Sequence, residues 1–245
     1  YHDLRRSAGD FYAEGDLIWL DADVTIERLT GGTKSLDDFC KLWGNGSDTT
    51  DVPVFMGYDR ALVIALLNKV VPYDWAGFFK ARIDDISPHA PLGGIEHGGY
   101  RLVYTDKPSA VEKKEDSDRD QIDAVFSLGL SISAKSGRVS DVLTNSPAFA
   151  AGFAPGDTIV ALDGRKFSSD VLSAALKAHK GGSTPMSFIV SDEGDYFRTL
   201  SVPVYSGARY PHLERVAGTP DLLDGIFAPK TFVPSPEPSV TPSAS

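Results

Sequence analysis

The apolar positions between residues 11 and 30 (Phe11, Leu17, Ile18, Leu20, Val24, Ile26 and Leu29) fall broadly on one face of a helix with a 3.6-residue period. Gly31-Gly32 follows them, and because glycine enters the left-handed backbone without a steric penalty, the pattern predicts a helix that stops there. A second start is marked by Ser35. It stands three residues before Asp38 and just ahead of Leu36, Phe39 and Leu42, a capping-box spacing in which Asp37 and Asp38 also suit the positive end of the helix dipole. "YDRALVIALLNKVV" reads as a third helix, apolar nearly all round and closed by Pro72, and "DWAGFFKARID" as a fourth that ends before Pro88. Residues 1–87 are therefore expected to be all-helical.

Near residue 88 the texture changes. "PHAPLGGIEHGGYRLVYTDKPS" is rich in Gly and Pro with one strand-like stretch, Tyr100 to Tyr104. "EKKEDSDRDQID", residues 112–123, is a mixed charge run without apolar period, expected to be a solvated surface loop. Residues 88–123 are thus assigned as a connector. From 124 to 205, short strands alternate with turns: "FSLGLSIS", "GRVSDVL", "DTIVALDG", a helix over "SDVLSAALKAHKGG", then "MSFIVSDEGDYFRTLSVPV". Asp163-Gly164 marks a tight turn between strands, and Gly181-Gly182 closes the helix. Residues 206–245 form a C-terminal extension, which from about residue 233 is Pro and Ser with almost nothing to bury, the composition of a disordered tail. The fold class is α followed by α+β.

Composition narrows the functions open to such a chain. An apolar fraction of 42% over 245 residues is enough for ordinary cores. A net charge of -10 argues against nucleic acid and against acidic membrane surfaces, since both would repel it. No apolar run approaches the ~18 residues of a spanning helix, and no charged leader precedes an apolar stretch as in a signal peptide. The start at Tyr1 rather than Met leads us to expect an upstream part. Cys40 is the one cysteine, so it forms no disulfide within the chain; among Phe39, Leu42 and Trp43 it reads as a small buried hydrophobe.

"VLTNSPAFAAGFAPGDTIVALDGRKF" resembles the PDZ family in its bacterial form. The small residues Ala148, Ala150, Ala151 and Gly152 suit a close-packed helical turn, Gly156 the turn before a strand, and Ile159, Val160 and Leu162 the core of that strand. The resemblance implies a small β-barrel or sandwich with helices. It also implies a peptide added along a strand edge, with its terminal carboxylate held by backbone N–H groups of a Gly-containing loop. The matching loop is Ser127-Leu128-Gly129-Leu130. Leu128, Leu130 and Ile132, with Leu172 and Leu176 of the helix, either line an apolar peptide pocket or are plain core beside an empty or occluded groove.

"FYAEGDLIWLDAD", "ERLTGGTKSLDDF", "PYDWAGFF" and "PHLERVAGTPDLLDGIFAP", with a PDZ domain between the last two, look like the C-terminal half of the glycyl aminopeptidases, family 61 of the metallopeptidases. The resemblance implies that residues 1–87 are the all-helical C-terminal part of a thermolysin-like catalytic domain. In that family a Tyr-x-x-Gly element at a helix start places a phenol over a zinc site, and Tyr12 and Gly15 match it. A phenol so placed donates a hydrogen bond to the oxyanion that forms when a peptide carbonyl is attacked. Glu14 departs from the Lys of the related Tyr-x-Lys-Gly version.

The zinc ligands of such an enzyme, two His one helical turn apart with a Glu base and a third ligand downstream, are missing here. The five histidines, His2, His89, His97, His179 and His212, contain no i, i+4 pair. Glu96-His97 with His89 reads as part of a solvated loop. There is likewise no Gly-x-Ser-x-Gly elbow and no P-loop. The expectation is a piece of a bacterial zinc aminopeptidase that acts on the N-termini of peptides, with Gly or Ala favoured. The zinc is held upstream in the parent enzyme and this chain is inactive alone. The alternative is a non-catalytic protein whose PDZ module recruits peptide termini.

Overall fold

A computed structural model describes residues 11–44, 57–87, 89–192, 196–204 and 206–229. The Pro- and Ser-rich tail lies outside the described residues.

The predicted first helix is α1, Phe11–Thr30. It ends as the glycines require: Gly31 and Gly32 have φ of +62° and +78°, and the Gly32 N–H reaches back to the Glu27 carbonyl at 2.8 Å. Helix α2, Leu36–Trp43, starts on the expected box, with the Ser35 and Asp38 side chains each capping the other's backbone. Helices α3, Arg60–Val70, and α4, Trp75–Phe79, start on Asp59 and Asp74, and α4 continues through a π-helical stretch, Lys80–Asp84. Ala22 and Ile26 of α1 meet Phe39, Leu66, Leu67, Val70, Trp75, Phe78 and Phe79 in one core. Trp75 is fully enclosed there, and its indole N–H is satisfied by the Val71 carbonyl at 3.1 Å.

Cys40 departs from expectation. It is exposed, because Phe39 takes the inward position of this short helix and the next residue is carried round toward solvent.

The stretch assigned as a connector carries its own elements. Helix α5, Gly93–His97, crosses α1 at Asp21 so closely that a Cβ on Gly94 would lie 2.7 Å from the Asp21 backbone nitrogen. Strand β1, Tyr100–Thr105, pairs antiparallel with β9, Tyr210–Arg215, with Leu102 opposite Leu213. Helix α9, Leu222–Phe227, then buries Leu223 against Gly98. Residues from the connector and from the C-terminal extension therefore fold together.

The charge run is not a loop: Ala110–Asp118 is helix α6. It buries no residue, so packing does not explain it. A second capping box does, formed by Ser109 and Glu112, supported by the Lys114–Asp118 ion pair one turn apart at 2.8 Å.

The strand-rich part holds two small antiparallel sheets. Strands β2, Gln121–Ala124, β3, Leu130–Ser133, and β4, Val139–Val142, form one in the order β2-β3-β4. Strands β5, Thr158–Leu162, β6, Arg165–Lys166, β7, Met186–Ser191, and β8, Phe197–Val202, form the other in the order β6-β5-β7-β8. Helix α7, Pro147–Ala151, and helix α8, Ser169–His179, complete the unit. Its core runs from Leu128, Leu130 and Ile132 to Leu172, Leu176, Met186 and Phe188. Asp163 and Gly164 both adopt positive φ, 47° and 76°, in the β5–β6 turn, as the Asp-Gly signal predicts.

Candidate functional site

Tyr12 stands in the first turn of α1 and is 72% exposed, its ring tilted against Phe11 with centroids 4.3 Å apart. Gly15 lies on the same side of the helix, one turn along. A Cβ at Gly15 would meet no described atom within 4 Å. Among the described residues, Tyr12 takes no part in the helical core.

Further along α1 a cleft of about 510 Å³ opens, with Glu14, Asp21, Arg82, Asp85, Ser87 and His89 among its walls. Asp21 is 1% exposed and is clamped by Arg82, whose Nε donates to Oδ2 at 2.8 Å and whose Nη2 donates to the same oxygen. The Arg82 guanidinium also lies over the Phe78 ring, 3.7 Å from its centroid. His97 brings Nδ1 to 3.9 Å from Asp21 Oδ1, beyond hydrogen-bond distance. This ion pair was not foreseen; its signal is an acidic residue inside the inward face of an otherwise apolar stretch of helix.

Among the described residues, no three His, Cys, Asp or Glu side chains are placed to hold a metal ion.

The second candidate is the loop before β3. Gly129 has φ of +87°, and a Cβ there would fall 2.1 Å from Ser146 Cβ, so only glycine lets the loop pass beneath the cap of α7. The backbone N–H groups of Ser127, Leu128 and Gly129 converge on one acceptor, the Ala124 carbonyl oxygen, at 3.2, 2.7 and 3.0 Å. Successive amides turned to one point make a concavity suited to an anion. Here a neutral oxygen of the same chain fills it. Ser127 is buried, and its hydroxyl accepts the Arg209 N–H at 2.9 Å.

The structure brings Leu128, Leu130, Ile132, Leu172 and Leu176 together, all of them in the core and none more than 3% exposed. Both edges of β3 are paired. β4 takes one, and β2 takes the other with Ile122 opposite Ile132 and Ala124 opposite Leu130.

Residues 127–186 match the PDZ domain family. No curated protein matches the sequence. Among solved structures, an aminopeptidase N family protein from Idiomarina loihiensis is similar over 89% of this chain and 36% of its own, with 18% identity and a TM-score of 0.61. This chain thus spans about a third of that protein's length. The HtrA3 PDZ domain bound to a phage-derived ligand (FGRWV) aligns with 49% of this chain and 95% of its own at 20% identity. The photosystem II D1 C-terminal processing protease aligns with 78% and 43% at 18% identity. Their TM-scores of 0.25 and 0.27 are too low for either to bear on the fold. The chain therefore carries a PDZ domain match at residues 127–186, and its fold is similar to that of part of an aminopeptidase N family protein.

Proposed function

We propose that this chain is the C-terminal part of a zinc-dependent aminopeptidase, a glycyl aminopeptidase of metallopeptidase family 61, that removes small N-terminal residues such as Gly or Ala, and that its PDZ domain takes peptide C-termini. The zinc belongs to the parent enzyme, with ligands outside this chain. One observation carries the reading: Tyr12, in the Tyr12-x-x-Gly15 spacing at a helix start, keeps its phenol out of the core and open to a neighbour. The likeness in fold to an aminopeptidase N family protein supports it.

The role of Tyr12 follows from charge. As a nucleophile adds to a peptide carbonyl, the oxygen gains negative charge, and a fixed O–H donor binds that oxygen more strongly than the original carbonyl. Such a donor is typically worth on the order of a hundredfold in rate. The open flank at Gly15 leaves room for substrate or a packing helix.

The PDZ domain taken alone also fits a non-catalytic protein that recruits peptide termini, and one assay separates the two. The full-length protein is incubated with Gly and Ala 4-nitroanilides, free and N-acetylated, with and without a metal chelator. The aminopeptidase reading expects release from the free-amine substrates alone, abolished by the chelator. No release from any substrate favours the recruiting protein.

A further inference from the structure

We propose that β2 is a built-in occupant of the peptide groove, and that a peptide C-terminus binds the PDZ domain only by displacing it. This rests on the peptide-binding reading above and adds the regulation of that site. A peptide that augments β3 needs a free edge, and both edges of β3 are taken, by β4 and by β2. Along its whole length β3 is covered on the second edge, from Gln121 opposite Ser133 to Ala124 opposite Leu130. The carboxylate position is filled in the same way, by the Ala124 carbonyl that collects the Ser127, Leu128 and Gly129 amides. Strand and carbonyl together imitate a bound peptide end.

The imitation is built to yield. Three N–H groups share one neutral oxygen, whereas an incoming carboxylate offers two oxygens and a full charge, and hydrogen bonds to a charged acceptor are about twice as strong. The anchorage of β2 is slight: of its four residues only Ala124 is buried, with Ile122 partly packed against the core. The preceding α6 buries nothing. Segment 110–124 can therefore leave at the cost of a short ladder and of the core position of Ala124, the one buried residue of β2. Apparent peptide affinity is the intrinsic affinity scaled by the fraction of molecules in which β2 has left.

The test locks and unlocks the strand in the full chain. Asp123 and Ser131 face each other across β2 and β3 and are both incompletely buried, and the Asp123 N–H points away from β3 toward Asp116. The pair Asp123→Cys, Ser131→Cys, made with Cys40→Ser, places a reversible disulfide there. Ile122→Pro instead removes an N–H from the ladder and weakens the strand. The probes are acetylated hexapeptides ending in Val, Leu or Ala with a free carboxylate, and the same peptides amidated, followed by fluorescence anisotropy. The proposal expects binding of the free-carboxylate peptides to the reduced pair, none to the oxidised pair, and at least about tenfold tighter binding to Ile122→Pro. Equal affinity of the oxidised and reduced pair overturns the proposal while leaving peptide binding intact. Failure of every form, including Ile122→Pro and the reduced pair, to bind any probe overturns the peptide-binding reading and the proposal with it.

Discussion

Arg82 holds Asp21 across 61 residues of chain, with Nε 2.8 Å from Oδ2, and so ties the π-helical continuation of α4 to the middle of α1. Removing the cation leaves a carboxylate buried in the helical part without compensation. Arg82→Met is expected to lower the free energy of unfolding by about 3–5 kcal/mol. The double variant Asp21→Asn, Arg82→Met should lose less, because no charge is stranded. Chemical denaturation of the three proteins checks this; equal losses in single and double variants would contradict it.

The α1–α5 crossing makes a second prediction. At Gly94 a Cβ would meet the Asp21 nitrogen at 2.7 Å and the Leu20 carbonyl carbon at 2.9 Å, backbone atoms that cannot rotate away. Gly94→Ala should therefore cost toward the upper end of the ~1–3 kcal/mol typical of overpacking. The loss is read as a lowered denaturation midpoint with an unchanged slope.

Two glycines of the PDZ domain separate strain from space. Gly129 and Gly164 both have positive φ, 87° and 76°, but a Cβ at Gly129 strikes Ser146 while one at Gly164 meets nothing within 4 Å. Gly164→Ala should cost about 1–2 kcal/mol, the left-handed penalty alone. Gly129→Ala should cost that plus an overpacking term of about 1–3 kcal/mol. Thermal unfolding of the pair measures the difference, and equal shifts would show that the loop does not pass beneath Ser146 as described.

His179 makes the stability of the strand-rich part depend on pH. Its ring nitrogens face the Thr184 carbonyl and the Asp163 carboxylate, each at 2.8 Å. Both contacts are satisfied as hydrogen bonds only by the doubly protonated ring. The Thr184 carbonyl above all, and then Asp163, raise the pKa from its ordinary 6.5, against the opposing effect of burial. The folded state thus binds the proton more tightly than the unfolded chain. The resulting stabilisation is complete below the unfolded pKa and is lost as pH rises through the raised folded value. Unfolding free energies of wild type and His179→Gln between pH 5 and 9 should differ most at the acid end and converge toward the alkaline end. A gap that widens with pH would contradict the assignment.

Elements marked by local chemistry were legible in the sequence. The Ser35–Asp38 box, the Gly31-Gly32 stop and the Asp163-Gly164 turn each act within a few residues, and each is where the pattern put it. The Ser109–Glu112 box is equally local, yet α6 was masked because it has no apolar stripe to accompany its caps. Cys40 shows the limit of reading burial from neighbours, since one step along a short helix turns a side chain from core to solvent. The pairing of β1 with β9 joins segments more than a hundred residues apart, and no local signal specifies which distant strand is chosen. The cover on β3 was hidden for a related reason. The Gln121–Ala124 strand is four residues long and continues a charge run. In the loop before β3, the turn at Gly129 was legible through its glycine, which takes the positive φ the pattern requires. The Asp21–Arg82 clamp was not, because two charges far apart in sequence show their pairing only in three dimensions.

The account stands most directly on Tyr12. Kinetics of N-terminal Gly or Ala release by the full-length protein and by its Tyr12→Phe variant measure the contribution of that one hydroxyl. We predict a fall in kcat of about a hundredfold or more with KM nearly unchanged, the signature of a donor that acts on the oxyanion rather than on the bound substrate. An unchanged kcat would contradict the catalytic role of Tyr12.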